Sequence, residues 1–254
     1  MTRALPAAIA LAALTLTGCA TSLAERARRA AETGADPAPL VAALKAAHDE
    51  VDATKRIFAV TLIEGRRRFG GEGALVYSAE PRRLRADVFG PHDTPVLHVR
   101  LRGDSLTVIL PREGETLSGV LGDPRFAELT GERALVSPEI LGAMLGVYDV
   151  ERLQAGADAV FAEVEGGRRT LLVREADLVH ALALEEGRLV EYRQERAGRD
   201  VYRVRFERFE PVDGRSSPRY VVLRDYARGR QLVLDVRSER APDPADLDRL
   251  SMSR

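Results

Sequence analysis

The single thiol of the chain, Cys19, closes the tetrapeptide Leu16-Thr17-Gly18-Cys19 at the end of an apolar stretch. A small residue before the cysteine lets a peptidase reach the preceding bond and leaves the thiol free to carry a diacylglycerol. Upstream lie a basic region ending at Arg3 and an apolar stretch from 4 to 16 interrupted by Pro6. That layout is a secretory signal, too short for a spanning helix of ~20 apolar residues. The tetrapeptide matches the lipobox of bacterial lipoproteins, so residues 1–18 read as a signal peptide and Cys19 as the lipidation site, carrying fatty acyl chains such as palmitate. Each buried methylene contributes ~0.8 kcal/mol, so one chain holds marginally whereas two or three anchor firmly. In the sorting rule of Gram-negative bacteria an aspartate after the cysteine retains a lipoprotein at the inner membrane. Ala20 stands there instead, so by that rule the chain is expected at the outer membrane, facing the periplasm.

The remaining reactive residue types form no constellation. The four histidines, His48, His92, His98 and His180, fall in different elements without metal-ligand spacing; no second thiol supports them, and no metal site is expected. His98 and His180 read as surface or edge-strand residues. Ser137, in Val-Ser-Pro, lacks the glycine-flanked elbow of a hydrolase nucleophile and reads as a helix N-cap. Glycines 65, 70, 71 and 73 do not open a helix after a strand, as a phosphate loop requires, and read as hairpin or bulge glycines. Arginine runs at 66–68 and 82–85 could meet lipid phosphates or a partner, or simply solvate a sheet face. No nucleophile, base and oxyanion donor assemble, so no enzyme and no cofactor are expected. A net charge of −1 with mixed signs and no tryptophan argues against nucleic acid as a partner.

The elements that would position a site follow from periodicity. From Ser22 to about Lys55 the pattern is helical, broken at 34–39, and Leu40, Leu44, Ala47 and Val51 share one face of the second helix. From Ile57 the period becomes two: Leu84, Ala86 and Val88 alternate with Arg83, Arg85 and Asp87, and Leu97, Val99 and Leu101 with His98, Arg100 and Arg102, before Leu106, Val108 and Leu110. Turn residues at 64–65, 70–71, 80–81, 90–91, 103–104 and 113–114 leave room for hairpins but not crossovers, which makes a meander. Strand character stops between Asp123 and Gly146, where Ser137, Pro138, Ile140, Leu141, Met144 and Leu145 describe a capped apolar helix ending at Gly146. A polar stretch over 149–158 leads to a second meander with strands at 160–164, 170–174, 178–184, 189–195, 201–209, 220–226 and 232–236, and a terminal helix around Leu247 and Leu250. About twelve antiparallel strands cannot stay flat, because twist accumulates across a wide sheet. The expected fold is mainly β with helices (α+β): a curved antiparallel sheet forming an incomplete half-barrel, covered by an N-terminal and a central helix. Its parts are a lipidated tether at 19–36 and a single domain at 37–254.

In this order of elements the chain resembles the LolA/LolB lipoprotein-carrier superfamily, and within it the LolB-like outer-membrane lipoproteins. The likeness is carried by Arg82-Arg83-Leu84-Arg85 through Phe89-Gly90-Pro91, by the strand pair from 96 to 110, and by Leu129-Thr130-Gly131 followed by Ser137-Pro138-Glu139-Ile140-Leu141 and Leu145-Gly146. It implies an apolar cavity that takes acyl chains, and a protein that accepts or delivers lipoproteins or lipids, with a periplasmic carrier as partner. It departs from the LolB-like pattern at one point: Pro91 is followed by His92 where the family has an exposed leucine used in delivery, and Phe89 is the nearest large apolar residue. Candidate cavity residues are Leu84, Val88, Leu97, Val99, Leu101, Leu106 and Val108, with Ile140, Leu141, Met144 and Leu145 as a lid; Phe89, Pro91 and His92 form a candidate membrane loop. The alternatives are a filled core made by the same residues, and a monomeric interaction or sensor lipoprotein using the fold as a docking module.

Overall fold

The computed structural model describes residues 21–121, 123–127 and 138–251. Cys19 with its signal, the Leu129-Thr130-Gly131 stretch and Ser137 lie outside the described residues. Two helices, α1 (Leu23–Thr33) and α2 (Ala38–Asp49), precede a first meander of β1 (Ala53–Glu64), β2 (Arg67–Ser78), β3 (Arg83–Phe89), β4 (Pro95–Arg102), β5 (Ser105–Leu110) and β6 (Glu115–Val120). Short helices α3 (Pro124–Ala127), α4 (Pro138–Leu145) and α5 (Val150–Ala155) follow. The second meander comprises β7 (Ala159–Glu165), β8 (Arg168–Glu175), β9 (Leu178–Glu185), β10 (Arg188–Arg196), β11 (Arg199–Val212), β12 (Arg215–Asp225) and β13 (Arg230–Arg240), and α6 (Pro244–Ser251) ends the described chain.

All pairings are antiparallel, and the two meanders join through β1 and β13, for example Val60 opposite Leu234. The result is one thirteen-stranded sheet in the order β6-β5-β4-β3-β2-β1-β13-β12-β11-β10-β9-β8-β7, open at β6 and β7. Residues near opposite edges, Val108 on one side and Leu171 on the other, belong to a single core with Leu40 and Leu44 of α2 and Leu141 of α4. The sheet therefore curls around the helices as the expected open half-barrel. Alternation is plain in β3, where Leu84, Ala86 and Val88 are buried and their neighbours partly exposed.

Several expectations are corrected. β1 begins at Ala53, so the helical stretch does not extend to Lys55. Residues 23–33, in the segment read as tether, form the helix that their pattern implies, and this α1 packs on the outer face of the sheet: Leu23, Ala27 and Ala30 bury against Leu172, Val179 and Ala181. The backbone N–H groups of Leu23 and Ala24 donate to the buried Glu195 carboxylate at 2.8 and 3.4 Å, which satisfies donors that a helix start otherwise leaves open. Arg26 adds a hydrogen bond to Glu163 at 2.9 Å. Strands β8 and β9 are thereby covered on both faces, which is why 170–173 and 179–184 are continuously buried rather than alternating.

Gly70 and Gly71 do not turn the chain but lie inside β2. A Cβ at Gly71 would stand 2.2 Å from the Phe89 carbonyl oxygen, and one at Gly73 2.4 Å from the Phe58 ring, so close approach, not a turn, calls for glycine there. Beyond the turn at 113–114, β6 is an edge strand with no buried residue among its six, so no apolar alternation marks its run in the sequence. α5 emerges within the stretch read as polar loop, with Asp149 as its N-cap accepting from the Arg152 N–H at 3.0 Å.

Candidate functional site

The chain passes from one edge of the sheet to the other through α4 and α5, so these helices must cross the mouth of the curve. Leu141, Ala143 and Met144 of α4 are buried against it. The helix ends at Gly146, whose φ of 74° suits glycine and whose N–H donates to the Gly142 carbonyl at 2.8 Å. Beyond it the chain folds back so that Tyr148 lies against Gly142, where a Cβ would come within 2.5 Å of the ring. Tyr148 in turn stacks on Tyr192 of β10, with centroids 4.2 Å apart, and meets Phe206 edge-on at 6.3 Å.

The carbonyl end of α4 is held by a buried charge network. Arg56 of β1, 1 % exposed, donates to the Met144 carbonyl at 2.5 Å, to Ser217 Oγ at 2.9 Å and to Glu239 at 2.9 Å. Arg215 pairs with the same carboxylate, Ser217 donates to its other oxygen at 2.5 Å and Thr54 to the first at 3.2 Å. Burial alone would push the Glu239 carboxyl up; the Arg56 charge, the Ser217 hydroxyl and the Arg215 charge outweigh it and hold the group below its usual range.

Between α4 and the sheet lies a cavity of about 290 Å³. Tyr77, Leu84, Leu101 and Leu121 wall it from the first meander, His180 and Tyr192 from the second, and Leu141, Leu145, Tyr148 and Leu153 from the helical side. Arg82, Asp149, Arg152 and Glu175 complete the lining with charge, and Arg82 and Arg152 both reach Asp104, at 3.2 and 3.3 Å. A second cavity of about 90 Å³, lined by Leu44, Val51, Leu189 and Phe209, shares Leu145, Val147 and Tyr148 with the first.

Of the residues read from the sequence as cavity or lid, Leu84, Leu101, Leu141 and Leu145 line this space. Val88, Leu97, Val99, Leu106, Val108, Ile140 and Met144 are packed instead into the closed core. Sequence reasoning missed Tyr77, Tyr148, Tyr192 and His180. His180 is a correction as well: it is 4 % exposed, not a surface residue, with Nδ1 3.0 Å from the Tyr192 hydroxyl. Burial pushes its pKa down to about 4, so the ring is neutral at neutral pH. The missed signal was its setting, since it is the sole polar residue in the run Val179-His180-Ala181-Leu182-Ala183-Leu184.

The loop after β3 is a tight turn in which the Gly90 N–H donates to the Thr94 carbonyl at 2.8 Å. Pro91 and His92 are exposed at its tip, and His92 adopts a positive φ of 59°. Phe89 does not project with them: it is partly buried and meets His98 edge-on at 6.4 Å. His98 itself sits on the outer face, 2.6 Å from Asp87.

No protein-family model matches the sequence, and no curated protein matches it significantly. Solved structures do match the fold. A domain described as an outer-membrane lipoprotein-sorting protein, from Vibrio parahaemolyticus, superposes with a TM-score of 0.60 at 10 % identity over 84 % of this chain and 98 % of its own. A DUF1329 family protein from Desulfovibrio piger gives 0.58 at 14 %, over 83 % and 95 %. A LolA superfamily protein from Nitrosomonas europaea gives 0.56 at 15 %, over 80 % and 93 %. The chain has the LolA/LolB-like fold.

Proposed function

We propose that this chain is a lipid-anchored, non-enzymatic protein of the outer membrane that takes an acyl chain into the cavity beneath α4 and accepts or delivers lipids or lipoproteins. The observation that carries the reading is the cavity itself, a partly open space of about 290 Å³ between α4 and the sheet, walled mainly by apolar and aromatic side chains. Similar folds in proteins named for lipoprotein sorting and for the LolA superfamily support it. Size restricts the occupant. A cavity of about 150 Å³ holds benzene, so 290 Å³ corresponds to about a dozen carbon atoms, a single chain of medium length. A larger cargo requires α4 to move away from the sheet, and Arg56 opposes that movement through its bond to the Met144 carbonyl. Delivery would use the loop tip at Pro91 and His92, which is exposed, rather than Phe89, which is not.

The test is binding of an environment-sensitive fatty probe by the protein lacking residues 1–19. Leu101→Trp, which places bulk in the cavity, should abolish binding. His98→Trp, on the outer face, should leave it intact. Equal loss in both, or no binding by the parent protein, would remove the cavity from the mechanism. The filling of Val99, Val108 and their neighbours into closed core favours the docking-module alternative to the extent that no probe binds.

A further inference from the structure

Among the sheet residues that wall the cavity, His180 and the strand-end Glu175 stand out from the aromatic and aliphatic Tyr77, Leu84, Leu101 and Tyr192. The histidine's Nδ1 is engaged by the Tyr192 hydroxyl at 3.0 Å. Its Nε2 is buried and has no hydrogen-bond partner among the described residues; the Glu175 carboxylate is 3.9 Å away, beyond bonding distance. A buried polar atom left unpaired is costly, and native structures rarely retain one without a use. In the tautomer in which Tyr192 donates to Nδ1, the neutral ring carries its proton on Nε2, an unpaired donor buried in the cavity wall.

We propose that His180 Nε2 is the recognition point for the neutral carbonyl at the head of a bound acyl chain, an ester or an amide, and that the site discriminates against the free carboxylate. This rests on the lipid-binding reading and adds to it which head the chain carries. Three features point to a neutral carbonyl. The donor is uncharged, so it cannot compensate a buried anion. The nearest charge to it is the Glu175 carboxylate, which would repel a second one. The two cations in the lining, Arg82 and Arg152, are each already directed at Asp104. A carbonyl oxygen placed at Nε2 leaves the alkyl chain to run among Leu84, Leu101 and Leu141.

Matched twelve-carbon ligands separate the contributions in a displacement assay on the protein lacking residues 1–19: lauroylglycerol (ester), N-lauroylethanolamine (amide), dodecylglycerol (ether, no carbonyl) and laurate. The ester or the amide should bind about five-fold more tightly than the ether, the equivalent of one neutral hydrogen bond of ~1 kcal/mol, and laurate should bind more weakly than either. Whichever of ester and amide is preferred identifies the source of the carbonyl. His180→Phe, which keeps the ring and removes both nitrogens, should lower ester and amide affinity to that of the ether while leaving the ether unchanged. A change in the Nε2 chemical shift of the unmodified protein on adding ester but not ether checks the contact without a substitution. Equal affinities for ester, amide and ether, a preference that survives His180→Phe, or laurate binding as tightly as the ester would overturn the inference while leaving acyl binding in place. No binding by any of the four would overturn both.

Discussion

Replacing Arg56 with methionine keeps most of the side-chain volume and removes the cation that links α4 to the sheet. In the native protein that cation makes three hydrogen bonds, to Met144, Ser217 and Glu239. Its removal leaves the Glu239 carboxylate, whose side chain is 0 % exposed, with Arg215 as its paired cation beside the Ser217 and Thr54 hydroxyls. Breaking a buried pair costs about 3–5 kcal/mol when one charge is left without compensation. Because Arg215 still contacts Glu239, the low end, about 3 kcal/mol, is expected, or roughly 6–12 °C in Tm for a domain of this size. The effect should also be local: amides of 142–146 at the end of α4 should exchange faster than in the parent protein, while those of 58–62 in β1 keep their protection. The sign of the pH dependence follows from Glu239, whose folded-state pKa is depressed. Its contribution is present above the ordinary carboxylate pKa and is lost as pH falls through the lower folded value, so the gap between parent and variant should narrow below about pH 4. Denaturant melts across pH together with hydrogen exchange measure all three quantities. Unchanged exchange in α4, or a stability gap that stays constant into acid, would refute the role assigned to Arg56.

Cys19→Ser should abolish incorporation of labelled palmitate and leave the protein unanchored or held by its uncleaved signal; labelling of the variant would remove the lipidation site from Cys19. Leu97→Ala, at a position 0 % exposed in the closed core, should cost about 2–5 kcal/mol yet leave probe affinity unchanged in the folded fraction, as read by denaturant melts and titration. Glu195→Ala should free the start of α1, with faster amide exchange at 23–30 and a loss of about 1–3 kcal/mol for the orphaned donors; unaltered exchange would mean apolar packing alone docks the helix. His92→Leu should preserve or raise probe transfer to liposomes, and Phe89→Glu should lower transfer less than an exposed residue would, because Phe89 lies against the sheet. Transfer unchanged by both would make the loop an ordinary hairpin.

Local chemistry made the strands legible. The alternation of Leu84, Ala86 and Val88 with charged neighbours, and the glycines at 166–167, 187, 198 and 229 between apolar runs, mark hairpins whatever lies opposite them, because a pleated strand presents its side chains with period two. α4 was equally plain from Pro138 and Gly146, and the order of these elements together with their short motifs carried the resemblance to the LolA/LolB superfamily. Edge strand β6, with no fully buried residue, carried no such signal, and α1 looked like a tether because its small buried face, Leu23, Ala27 and Ala30, has meaning only against Leu172 and Ala181.

The division between cavity and core lay beyond local chemistry. Leu101 and Val99 occupy the same face of the same strand and read alike, yet the first borders open space and the second does not. The difference arises from side chains distant in sequence: Tyr148 turned back onto Gly142, Tyr192 stacked beneath it, and His180 brought opposite Leu84 by the curl of the sheet. An apolar residue loses the same contact with water whether its partner is another side chain or an empty volume. Periodicity therefore reports burial, and only the closure of the sheet around α4 determines what the buried face meets.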